Sequence, residues 1–173
     1  MTSLKPFVLL LLISLFFNVS LAQEVNLPKE PMASVDIAAL YVQSTIIESA
    51  EQMPEEYYTF RPTAEVRSFG ELMAHIAEAN FEMCAIAKGE TTPVLEVAPT
   101  KTEVIKALKQ SFEYSAEARK NMTQQRKETL VKFMGGTKPA GNVLDFSVFH
   151  SLQHYGNVIV YMRLKELIPP SSQ

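Results

Sequence analysis

The sequence predicts an all-α chain folded as a four-helix bundle, and three features predict it. Four segments carry apolar residues at helical spacing between capping residues or prolines. The stretches between them are polar and punctuated by proline, and none shows convincing strand alternation. At 173 residues and 47% hydrophobic content the chain suits one domain with a real core, expected over residues 34–170.

The N-terminus reads as a signal peptide over residues 1–22. Lys5 supplies a positive start, Phe7 to Phe17 is an apolar run interrupted by Ser14, and Ser20-Leu21-Ala22 places small residues ahead of a cleavage point before Gln23. The run is short for a bilayer span, so the expected address is secreted or periplasmic, with an uncleaved anchor as the alternative. The residue directly after the cut is Gln23 rather than a cysteine, which disfavours a lipid anchor. Residues 23–33, with Pro28 and Pro31, form an irregular lead-in.

The first helix is expected from a cap at Ser34 to about Met53, with Ile37, Leu40, Tyr41 and Ile47 at helical spacing and Pro54 as its stop. Glu55 to Arg67 reads as a loop with a short turn and no strand. Ser68, followed three residues later by Glu71, is a capping-box signature. The helix it opens has the stripe Leu72, His75, Ile76, Ala79, Met83 and Ile86, and Gly89 with Pro93 closes it. Lys101 to Met122 is the third helix. Gln124 to Ala140 is ambiguous: Leu130, Val131, Phe133 and Met134 suit a short strand or a turn, and the stretch is taken as a loop crossing the bundle. Asn142 is the expected cap of the last helix, which runs to Ile168 before Pro169-Pro170; residues 171–173 are a tail.

Charge and cysteine content exclude some functions. A formal net charge of -3, with mixed signs and no basic block, argues against a nucleic-acid partner. The single cysteine, Cys84, lies in an apolar run and reads as a buried, inert thiol. No Ser-His-Asp order, glycine-rich phosphate loop or CxxC pair is present to anchor nucleophilic or nucleotide chemistry.

The histidines carry the chemistry. His150 and His154 are four residues apart on the last helix, so their imidazoles project about 40° apart on one face. The chain's third histidine, His75, lies on the apolar stripe of the second helix, and a packed pair of helices can bring it to the other two. Three neutral imidazoles suit a divalent ion, zinc or nickel first, with iron or copper also compatible, and leave a position for water or substrate. The plainer reading of a histidine on an apolar face is a hydrogen-bonded core residue, and Gln153 does not supply the glutamate of an HExxH helix.

Phe60-Arg61-Pro62, then Val66-Arg67-Ser68-Phe69-Gly70-Glu71-Leu72 leading into His75-Ile76, then His154-Tyr155-Gly156-Asn157, Tyr161-Met162-Arg163-Leu164 and Pro169-Pro170-Ser171 together resemble the DinB family. The resemblance implies a four-helix bundle, a possible homodimer, and a divalent-ion site made of His75, His150 and His154. It implies no DNA-binding activity. Relatives of this kind include thiol-dependent S-transferases and isomerases, and others described as metal-dependent hydrolases. The export signal departs from the thiol-transfer members, because low-molecular-weight thiols are cytoplasmic reagents.

The sequence therefore leaves open hydrolysis or transfer on a small substrate, a non-catalytic metal-binding or structural bundle, and thiol-dependent S-transfer. Glu71 and Glu78, flanking His75, are candidates to orient an imidazole or act as a base, with solvent-facing carboxylates as the plainer reading. Asn157 and Tyr161, at i+3 and i+7 from His154, are candidate pocket residues, with core packing the competing role for Tyr161.

Overall fold

The structure, a computed structural model, describes residues 33–93 and 97–173. The expected signal peptide at 1–22 and nearly all of the expected lead-in at 23–33 lie outside the described residues. Among the described residues, no helix is long and apolar enough to cross a membrane.

Four long helices make the bundle: α1 (Ser34–Gln52), α2 (Phe69–Lys88), α3 (Lys101–Asn121) and α5 (Ala140–Leu164). Between α3 and α5 lie a short helix, α4 (Gln124–Glu128), and a hairpin of β1 (Leu130–Phe133) and β2 (Gly136–Pro139). α1 and α2 each pack against both α3 and α5. The core between them is filled by Val42, Ile46, Leu72, Met73, Ile76, Leu108, Phe112, Val158 and Met162, all buried.

Local chemistry explains the second helix well. The Ser68 side chain accepts from the Glu71 amide while the Glu71 carboxylate accepts from the Ser68 amide, so two otherwise orphaned donors are satisfied. The next two amides are met from the preceding loop: Phe69 N–H donates to the Phe60 carbonyl at 2.9 Å and Gly70 N–H to the Tyr58 carbonyl at 2.8 Å. The Tyr58 hydroxyl in turn donates to the Ala50 carbonyl at 2.6 Å, tying the loop to the end of α1. At Gly70 a Cβ would stand 2.4 Å from the Pro99 carbonyl oxygen, so only glycine lets the chain entering α3 pass this close.

Three boundaries differ from the sequence expectation. α1 is capped by Ala33 with no side-chain hydrogen bond, and Ser34 is its first residue. α5 begins at Ala140, two residues before the expected Asn142 cap, because β2 runs directly into it and Ala140 N–H donates to the Thr129 carbonyl at 2.8 Å. It ends at Leu164 through a left-handed Glu166 (φ 60°), with Leu167 N–H donating to the Met162 carbonyl and Glu166 N–H to the Arg163 carbonyl. That is the bonding of a glycine-type helix stop, made here by a residue whose identity does not advertise it.

The segment taken as a crossing loop is instead ordered structure. β1 and β2 pair antiparallel, with Leu130 opposite Pro139 and Phe133 opposite Gly136. Met134 (φ 47°) and Gly135 (φ 74°) form the two-residue turn, whose positive φ values match the twist of a tight hairpin. The hairpin packs on α2 and α5, and Phe133 meets Phe146 edge-on at 5.5 Å between ring centroids.

Candidate metal centre

α2 and α5 are in direct contact, and that contact brings the three histidines together. One nitrogen from each of His75, His150 and His154 lies within 4.8 Å of the others. The ring centroids are 5.1 Å apart for His75 and His150, 4.9 Å for His75 and His154, and 4.4 Å for His150 and His154. Within the α5 pair the two Nε2 atoms face each other at 3.1 Å. The trio is half-buried at the flank of the α2–α5 seam, between two surface clefts, rather than in the middle of the core.

Electrostatics favour the ligand form of these side chains. Burial, followed by the positive charge of Arg67 and the neighbouring His154, pulls the His75 pKa down to about 4. Burial, then His150 and Arg67, does the same to His154, also to about 4. His150 is lowered as well, by burial, then His75 and Arg67. Neutral imidazoles with free lone pairs are what a metal ion requires. The Nδ1 atoms of His150 and His154 are buried without a hydrogen-bond partner among the described residues. Apart from the contact between their Nε2 atoms, neither ring of the pair makes a hydrogen bond among the described residues. The donor set is compatible with a divalent ion, and three imidazole nitrogens do not by themselves select which one.

Two expected helpers are engaged elsewhere. The Glu71 carboxylate accepts from the Ser68 amide and pairs with Arg61 at 2.6 Å, and these contacts hold its pKa below the usual carboxylate range. Glu78 accepts from the Val97 amide at 3.3 Å. Glu71 is engaged at both oxygens and Glu78 at one, and neither makes a hydrogen bond to an imidazole among the described residues.

The surroundings supply groups that spacing did not reveal. His154, Asn157 and Tyr161 line one cleft of about 710 Å³ together with Arg61, Glu65, Arg67 and Leu72. Tyr161 also packs: it is 5% exposed, lies edge-on to Phe60, and donates its hydroxyl to the Arg67 carbonyl at 2.6 Å. His75 and His150 line a second cleft of about 1120 Å³, walled by Met83, Ile86, Phe133, Met134 and Phe146, with Glu82, Lys132 and Gln153 among its polar groups. Arg67 had no assigned role from sequence, since a loop residue's side-chain direction has no periodicity to reveal it. The hairpin wall was hidden in the ambiguous 124–140 stretch. A third cavity, about 280 Å³, opens on the α1–α3 side and contains no histidine; at its edge Arg119 joins Asp36, Asp145 and the Leu144 carbonyl.

Comparison with known proteins agrees with this architecture. No curated protein matches the chain in sequence. Among solved structures, a DinB-like protein from Bacillus subtilis superposes with a TM-score of 0.66 at 19% identity, covering 79% of this chain and 94% of that one. A DinB-like protein from Bacillus cereus gives 0.66 at 17% identity, covering 79% and 93%. A conserved protein from Enterococcus faecalis gives 0.63 at 12% identity, covering 78% and 98%. At these identities the likeness is one of fold. The sequence model of the DinB superfamily matches residues 41–158, which spans both histidine-bearing helices, and the chain belongs to the DinB superfamily.

Proposed function

We propose that this protein is an exported, divalent-metal-dependent hydrolase or transferase acting on a small substrate at His75, His150 and His154. The observation that carries the reading is the trio itself: three uncharged imidazoles from two packed helices, with ligand-capable nitrogens within 4.8 Å of one another. When bound, a divalent ion supplies Lewis-acid polarisation and acidifies water or a substrate heteroatom. The residues of the chain do the remaining work. α2 and α5 fix the three rings, burial keeps them unprotonated, and the two clefts give a small molecule access to them.

The same access favours catalysis over a purely structural metal site, because a closed structural site has no need of a cleft on either side. Thiol-dependent S-transfer is the weaker enzymatic reading, since the N-terminal Lys5, the apolar Phe7–Phe17 run and Ser20-Leu21-Ala22 support export to a place where reduced thiols are scarce. Phe149 and Leu164, exposed on α5, are part of the surface a second copy would cover in a homodimer.

The test is crystallographic. Anomalous difference maps collected at the zinc and nickel edges, from crystals of protein purified without chelator, are expected to show one peak among the three imidazoles. Maps with no peak there, from protein offered both ions, overturn the reading.

A further inference from the structure

Resting on that reading, we propose that the substrate carries a carboxylate and an apolar body, the carboxylate held by Arg67 beside His154 and the body lying under the β1–β2 hairpin.

The charges of the site point this way. Two arginines and one glutamate line the cleft at His154. Arg61 is already paired with Glu71, whereas the Arg67 side chain has no ion pair or hydrogen bond among the described residues. It lines the same cleft as His154, so its charge stands on the side from which that imidazole is reached. An ion held by three neutral ligands keeps its full double charge, and Arg67 adds another. Among the described residues, Glu65 in one cleft and Glu82 in the other are the only carboxylates in the two linings, so a substrate that brings its own anion completes the balance. A guanidinium fork is also the side chain best shaped to hold a carboxylate through two parallel hydrogen bonds.

Arg67 is presented rather than left adrift. Its carbonyl accepts from the buried Tyr161 hydroxyl, and the following residue, Ser68, caps α2, so the backbone is anchored on both sides of an exposed side chain.

The other cleft supplies the second half of the specificity. His75 and His150 lie on its wall, and Phe133, Phe146, Met83 and Ile86 make its surface largely apolar. The three histidines stand between the two clefts, His154 lining one and His75 and His150 the other, so a molecule that spans the trio meets Arg67 at one end and these apolar side chains at the other.

Cobalt(II) serves as the probe ion, because its visible absorption reports changes at the metal without turnover. Acetate and phenylacetate are titrated at constant ionic strength into cobalt-loaded wild type, Arg67→Gln, Arg67→Lys and Phe133→Ala. Both anions are expected to change the wild-type spectrum, phenylacetate at lower concentration. Arg67→Gln is expected to weaken acetate about tenfold while keeping cobalt stoichiometry, with Arg67→Lys intermediate. Phe133→Ala is expected to erase the advantage of phenylacetate and leave acetate unchanged.

Equal acetate titrations in wild type and Arg67→Gln, with cobalt bound in both, overturn the role of Arg67 alone. Phenylacetate no tighter than acetate overturns the apolar half. A wild-type protein that takes up no cobalt overturns the three-histidine reading, and this inference falls with it.

Discussion

The Nε2 atoms of His150 and His154 face one another at 3.1 Å across one turn of α5. Two nitrogens each about 2.0–2.1 Å from a shared ion have this separation when the angle between them is roughly 100°. The Nδ1 atom of each ring is buried without a hydrogen-bond partner among the described residues, so Nε2 is the approachable nitrogen of each. A nitrogen of His75, on α2, lies within 4.8 Å of a nitrogen of each.

Removing one member of the pair breaks the set. Metal analysis of purified His154→Ala is expected to show loss of stoichiometric ion, since two imidazoles hold a divalent ion far more weakly than three. Metal content equal to that of wild type excludes the assigned ligands.

The depressed imidazoles make the metal-free protein sensitive to acid. An imidazole in the unfolded chain takes up its proton near pH 6.5, while burial holds His75 and His154 at about 4 in the folded protein. Between these values the unfolded state binds more protons, so the stabilising contribution is complete above about pH 6.5 and is lost as pH falls toward 4. With chelator present, the Tm is expected to drop by several degrees between pH 7 and pH 5, and the slope to be shallower in His154→Gln. A wild-type slope no steeper than that of the variant shows that His154 is not held neutral.

Gly70 marks the closest approach of the α3 lead-in to α2. An alanine methyl would meet the Pro99 carbonyl oxygen at 2.4 Å and Tyr58 at 3.1 Å, and neither is the free end of a flexible chain. Gly70→Ala is expected to destabilise by about 1–3 kcal/mol in urea unfolding, the usual range for overpacking. Unchanged stability would mean that the 97–100 segment can move aside.

The helices were legible in the chain to differing degrees. α2 was the clearest, because Ser68, Glu71 and Gly89 each act through bonds within four residues of themselves. The end of α5 was not, because a left-handed glutamate does the work a glycine would have announced. The hairpin was obscured for a related reason. Its strands are four residues each and mostly exposed, so the alternation that a buried face imposes is weak, and its turn puts a methionine at positive φ.

What the sequence determined by itself was the set of helices and the pairing of His150 with His154, since a four-residue spacing on one helix has only one spatial meaning. The tertiary structure decided that His75 joins them at the flank of the bundle, that Glu71 and Glu78 are tied to loops, and that Arg67 and the hairpin border the site. Those relationships depend on how α2 meets α5 and on where loop side chains point. No periodicity along a single chain encodes either, because both are set by packing between segments distant in sequence.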